Sequence, residues 1–195
     1  CIFDFFMFTT LAIYFIASSI KSITNVKSEN ILYALLSILV VIITNYFSKY
    51  NMESRILEFE VSSATVSLAA QALNCQEARI AKTLSFLLHD KAILIVTAGD
   101  AKIDNSKYKA HFETKAKMLS PDQVKDLIGH EIGGVCPFAI HQDVVVYLDE
   151  SLKRFKTVFP ACGSSNSAIE LSISELEKYS NFSRWIDVCK DWQKT

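Results

Sequence analysis

A chain of 195 residues has room for one domain, or one domain with an appendage, and two full domains are excluded. Half of the residues are hydrophobic and the net charge is −1, so a broad, strongly basic nucleic-acid-binding surface is excluded too and any RNA contact is local, limited to capture of a small end of an RNA. The five cysteines, Cys1, Cys75, Cys136, Cys162 and Cys189, are scattered without a CxxC pair, and His89, His111, His130 and His141 lack helical ligand spacing, which leads us to expect reduced thiols in a cytoplasmic protein with no metal and no cofactor.

The excess of apolar residues lies at the start. Residues 5–20 carry no charge, and a second uncharged run covers 31–48 after the polar stretch from Lys21 to Asn30. Each approaches the about 17–25 residues that cross a bilayer as a helix. One reading is a pair of spans tethering the protein to a membrane; the other, suggested by the opening Cys1 and the break in composition, is non-native upstream sequence. Either way residues 1–44 are set apart from a domain at 45–195.

In the domain, Asn45–Tyr50 predicts a short helix and Arg55–Val61 alternates as a strand with one wet face. Thr65 caps a helix with Leu68, Ala69, Ala72 and Leu73 on one side, ending near Asn74. Ile80–Leu88 alternates as a strand, with Lys82 on an otherwise apolar face. Ala92–Thr97 is a continuous apolar run, expected of a central strand, and Gly99-Asp100 turns the chain. A helix at 104–112 and a short strand at Ala116–Leu119 follow. Ser120, Pro121 and Gln123 then open a helix that Gly129 stops. After the loop His130–Phe138 come strands near Val144–Leu148, Phe155–Phe159 and Ile169–Ile173. A capping box over Ser174–Glu177 opens the next helix, and Phe182, Trp185, Ile186, Cys189 and Trp192 fall on one stripe of a last helix. The fold class is mixed α/β, a mixed sheet with flanking helices.

Lys82 must snorkel, pair with a carboxylate, or hold an anionic ligand, because an isolated buried ammonium is costly. Gly133-Gly134-Val135-Cys136-Pro137 either presents backbone N–H groups to a developing oxyanion or is a tight turn. Cys136 beside His130 invites thiol chemistry, but no third group orients the pair and a free cysteine is often a small buried hydrophobe. Gly163-Ser164-Ser165-Asn166 either lines a pocket or is a polar turn.

Taken in order, Thr65-Val66, Ala69-Ala70, Ala72-Leu73, Ile80-Ala81-Lys82-Thr83-Leu84, Gly99-Asp100, Gly133–Phe138, Asp149-Glu150-Ser151-Leu152 and Ala161-Cys162-Gly163 resemble the YbaK family of aminoacyl-tRNA deacylases. The resemblance covers about residues 45–195. It implies a largely antiparallel mixed sheet or partial barrel flanked by helices, shared with the editing domain of bacterial prolyl-tRNA synthetases. It also implies hydrolysis of mischarged aminoacyl-tRNA in trans, with the tRNA acceptor end, and an aminoacyl-tRNA synthetase, as partners. By the same resemblance Lys82 is the essential polar side chain, with Gly133 and Gly134 at the ester carbonyl. Thr65, Thr83, Val135, Cys136, Pro137, Phe138, Gly163 and Ser164 then line the substrate pocket. Two departures stand out: Cys136 replaces the serine usual before the proline, and Ser164-Ser165-Asn166 lacks the basic pair found after the glycine in many relatives. A non-catalytic tRNA-binding or regulatory module of the same fold is the alternative.

Overall fold

The structure, a computed structural model, describes residues 40–193, all within a compact unit that begins at Ile38. The uncharged run at 5–20 lies outside these residues, as does 31–39 of the second run; residues 40–48 are helical and form α1. Among the described residues no helix is long and apolar enough to cross a membrane. Ile43 and Phe47, one turn apart on α1, are both fully buried. Phe47 meets Phe138 edge-on at 4.9 Å between centroids and Tyr179 at 5.8 Å. The core therefore reaches back past residue 45, where composition alone put the boundary.

The next expected strand shrinks to β1 (Ile56–Glu58), which pairs antiparallel with β7 (Ser167–Ile169) as a separate ribbon. Among the described residues nothing covers its outer face, and Leu57 and Val61 are exposed rather than buried in alternation. Helix α2 (Val66–Leu73) starts where Thr65 Oγ1 accepts the Leu68 N–H and ends at Asn74 in the left-handed region. Its buried residues are Ala69 and Ala70, while Leu68 faces out.

The centre of the molecule is the hairpin of β2 (Ile80–Leu88) and β3 (Lys91–Ala98), turned by His89 and Asp90, both at positive φ. Helix α3 (Asn105–Phe112) is capped by Asp104, and α4 (Pro121–Ile128) carries the full Ser120/Gln123 capping box with Gly129 closing it. Together they carry the chain back to β5 (Val145–Asp149), parallel to β3. From β5 the chain passes through β6 (Thr157–Pro160) and β8 (Leu171–Ser172) to α5 (Ile173–Ser180) and β9 (Arg184–Ile186). The six-stranded sheet has the order β8-β6-β2-β3-β5-β9. Of its five neighbouring pairs, β2–β6, β3–β5 and β5–β9 are parallel, so it is more parallel than expected. Each parallel pair joins segments far apart in sequence, which no local pattern reports. Aromatic contacts seat α3 on the sheet: Tyr108 lies 5.3 Å from Phe86, and Phe112 5.3 Å from Tyr147.

Three expected elements differ. Residues 116–119 form no strand beyond a single bridge between Met118 and Phe86. The second capping box is Ser172/Glu175, two residues earlier than expected, because Ser172 both ends β8 and caps α5. Glu175 also binds Arg55 at 2.7 Å, and this pairing holds its carboxyl down at about 2. The last helix is absent. Asn181 terminates α5 in the left-handed region; the chain then forms β9 and, after a break, β10 (Cys189–Lys190), which pairs with β4 (Lys102–Ile103). The buried Asp149 carboxylate fixes this break by accepting the N–H groups of Ser151 and Val188, each at 3.0 Å.

Candidate active site

A cavity of about 350 Å³ opens between the start of α2, the N-terminal half of β2, β6 and the loop after α4. That is at the small end of ligand sites, suited to the tip of a larger molecule. Its walls are mostly apolar: Val66, Ala69 and Leu73 from α2, Ile80 and Leu84 from β2, Phe159 from β6, and Val135. Polar residues are few, among them Ser63, Thr65, Lys82, Thr83 and Ser167. Met118 and Ile132 stand at the mouth, each 59% exposed.

Lys82 lines this cavity without pairing to a carboxylate among the described residues. Its ammonium donates to the carbonyl oxygens of Gly99, at 2.9 Å, and Ala101. Burial lowers its pKa from the ordinary lysine value. An ammonium has three donors, so two backbone acceptors hold it in place and leave one N–H for a ligand. Next to it, Thr83 Oγ1 is sealed from solvent and has no hydrogen-bond partner among the described residues. Strand alternation turns this hydroxyl to the face of β2 opposite Lys82.

Of the residues singled out from sequence, Thr65, Lys82, Thr83, Gly133 and Val135 come together around the cavity. Gly134, Cys136, Pro137, Phe138, Gly163 and Ser164 do not line it, and each absence has a physical reason. Gly134 faces the neighbouring loop: a Cβ there would lie 2.7 Å from the backbone of Gly163 and Ser164. Its lack of a side chain thus lets two loops touch, and we expect Gly134→Val to cost stability rather than merely to block a ligand. A drop of several degrees in Tm would be seen for an overpacking cost of about 2–3 kcal/mol; an unchanged melt would show that the loops separate freely. Ser164 Oγ is spent within its own turn, 2.8 Å from Asn166 Oδ1 and 2.7 Å from Ser167 Oγ. Pro137 and Phe138 are buried, Phe138 against α1.

Cys136 is fully buried, and burial pushes its thiol up to about 12. Its Sγ lies 3.7 Å from His130 Nδ1, yet neither residue lines the cavity. The imidazole serves the backbone instead, accepting the Cys136 N–H on Nδ1 at 3.3 Å. Cys136→Ala and Cys136→Ser should therefore leave turnover within a few-fold of the parent protein. A loss of ~100-fold in Cys136→Ala, about 2.7 kcal/mol of transition-state stabilisation, would restore a thiol mechanism.

His130 is 1% exposed, and desolvation depresses its pKa to about 4, against a smaller opposing effect of the Ala139 and Phe138 backbone. The folded protein therefore binds fewer protons at this site than the unfolded chain once the pH falls below about 6.5. Stability should fall with pH through the window from about 6.5 to about 4, by up to ~1.4 kcal/mol per unit. Urea titrations at several pH values on the parent and His130→Gln check this. A slope unchanged by the substitution would remove His130 as its source.

Among the described residues Cys75, Cys136, Cys162 and Cys189 are free, and no group of three His, Cys, Asp or Glu side chains is placed to hold a metal. Sequence reasoning missed Met118, Ile132 and Phe159 at the cavity. Phe159 reaches it only because β6 lies parallel to β2, with Phe159 opposite Ile80.

Over residues 60–179 the chain matches the aminoacyl-tRNA editing domain. It belongs to that family. The uncharacterized protein YwhH of Bacillus subtilis (strain 168) is 57% identical over 152 residues, covering 77% of this chain and 97% of that protein. The proline–tRNA ligase of the same organism is 34% identical over 74 residues, 37% of this chain but only 13% of the ligase. Among solved structures, a candidate trans-editing enzyme for prolyl tRNA synthetase superposes with a TM-score of 0.70 at 24% identity, over 78% of this chain and 97% of that one. The hypothetical protein APE2540 superposes at 0.64 with 26% identity, over 73% and 99%. The matches thus include proteins of about this domain's own length and a small part of a much larger ligase.

Proposed function

We propose that this editing domain is an aminoacyl-tRNA deacylase that works in trans, cleaving the ester of a mischarged tRNA into free amino acid and tRNA. The observation that carries the reading is the Lys82 ammonium, anchored by two backbone carbonyls, in a small, mostly apolar cavity of a chain in this family. Water adds to the ester carbonyl, the C–O bond to the ribose breaks, and the ribose oxygen leaves with a proton. An aminoacyl ester is already activated, so orientation and a few donors suffice. The third N–H of Lys82 and the backbone at Gly133 supply donors to the ester oxygens. By the family resemblance, activation of the attacking water is assigned to the substrate's own free ribose hydroxyl; among the described residues no histidine or carboxylate lines the cavity.

A second reading, a non-catalytic RNA-binding or regulatory module, draws on the same lysine: its ammonium is already engaged by two carbonyls. Deacylation assays with a panel of correctly and incorrectly charged tRNAs separate the two. Release of one or more amino acids above the spontaneous rate is expected. No release from any member would sink the enzyme reading and leave the binding one. The cytoplasm, where charged tRNA is used, is the compartment this function requires.

A further inference from the structure

Two of the segments singled out in the sequence, Gly99-Asp100 and Asp149–Leu152, lie outside the cavity wall. The fold joins them at the anchor of Lys82. Gly99 and Ala101, whose carbonyls hold the ammonium, flank Asp100 in the turn after β3. The 3-10 turn Glu150–Arg154, which follows β5, binds that turn at two points. At the first, the Ala98 N–H donates to the buried Ser151 Oγ at 3.1 Å. At the second, Arg154 grips the Asp100 carboxylate with both terminal nitrogens, Nη1 at 3.0 Å from Oδ2 and Nη2 at 2.5 Å from Oδ1. The guanidinium is itself fixed. Its Nε donates to the Ser151 carbonyl and its Nη1 to that of Trp192, each at 2.9 Å, and it lies over the rings of Phe155 and Trp192. A planar fork held in this way sets the orientation of the carboxylate as well as its distance. Any rotation of the turn at Asp100 would carry the two acceptors of Lys82 with it. Asp100 also acts on Lys82 through its charge: burial lowers the lysine's pKa, Cys189 and Asp100 oppose this, and Lys102 adds to it.

We propose that Arg154 is a positioning residue of the site, which clamps Asp100 and so holds the Gly99 and Ala101 carbonyls in the orientation that aims the Lys82 ammonium. Its effect on rate rests on the deacylase reading above; its effect on the ammonium does not. A shift of about 1 Å at a group that meets the substrate can cost on the order of 100-fold in rate.

The test compares the full chain with Arg154→Lys, which keeps the charge and loses the fork, with Asp100→Asn, which leaves the arginine its Ser151 and Trp192 contacts, and with the double variant. Thermal melts verify folding. Single-turnover deacylation is expected to fall by ~10- to 100-fold, to a similar level in all three, with KM within about 3-fold of the parent because neither residue lines the cavity. The second readout is the 1H–15N signal of the Lys82 ammonium, identified by its loss in Lys82→Ala. It should broaden or vanish in the three variants, while that of Lys107, held by Asp187 and the Cys189 carbonyl, persists. A loss of rate in Arg154→Lys alone would make the arginine a staple for Trp192, and a loss in Asp100→Asn alone would make the carboxylate's charge the cause. Losses that multiply in the double variant would make the two residues independent. Each of these overturns the clamp, as does an unchanged Lys82 signal. If Arg154→Lys does not fold, Asp100→Asn and its Lys82 signal decide. A parent chain that cleaves no ester, with the Lys82 signal lost in every variant, would sustain the clamp and defeat the deacylase.

Discussion

Lys82→Ala is expected to lose at least ~100-fold in single-turnover deacylation, a loss of about 2.7 kcal/mol in transition-state stabilisation. The lysine is the charged side chain of the cavity wall, and its ammonium is aimed by the Gly99 and Ala101 carbonyls. The same substitution has two opposing effects on the fold. It removes a desolvated charge, and it strips two carbonyls of their donor, each worth about 1–3 kcal/mol if water does not replace it. A lowered Tm with a retained cooperative transition is the expected balance. Lys82→Arg should fail as well, because a planar guanidinium cannot occupy a bracket built for a compact ammonium. Wild-type rates in folded Lys82→Ala would take the central group out of the mechanism.

Gly99→Ala should be the most damaging single-methyl change in the molecule. A Cβ at that position would lie 1.9 Å from the Glu77 carbonyl oxygen and 2.8 Å from Val66 Cγ1. The first obstacle is backbone, in the short 3-10 turn (Glu77–Arg79) that leads into β2, and so cannot rotate aside. Either that turn or the turn after β3 must move. We expect a cost of roughly 2–4 kcal/mol and a fall in Tm of about 5–15 °C. Because the Gly99 carbonyl also holds Lys82, whatever protein remains folded should deacylate poorly. A melt within about 2 °C of the parent, the scale of a change under 1 kcal/mol, would show that the turn relaxes without penalty.

What could be read from the sequence was local. The limits of β2 and the unusual place of Lys82 follow from alternation over nine residues. The start of α4 follows from a cap, a proline and a glutamine within four positions. The cavity residues Thr65, Thr83, Gly133 and Val135 came from the family resemblance, not from their spacing. What could not be read was long-range. No pattern brings Phe159 beside Ile80, or lays β9 against β5. The stripe from Phe182 to Trp192 is apolar because Ile186, Val188 and Cys189 are buried in a bent, extended segment; helical spacing there is coincidence. The glycine-rich loop also has a packing role that spacing does not show. Its second glycine packs against the Gly163–Ser164 backbone and its cysteine is buried.

The strand order sets a timetable for biosynthesis. Both outermost strands of the six-stranded sheet, β8 and β9, come from residues beyond 170, whereas the hairpin between them is complete by residue 98. While the ribosome makes the intervening stretch, the very apolar β3 has a bare flank awaiting β5, and β5 in turn awaits β9. Unpaired, hydrophobic strand flanks are the parts of a nascent chain most prone to stick to one another. Sheets closed by distant segments also fold slowly. The nascent protein therefore depends on fast completion of the codons from residue 171 to residue 186, or on chaperone shelter until they are read, and stalling in that interval should leave insoluble product.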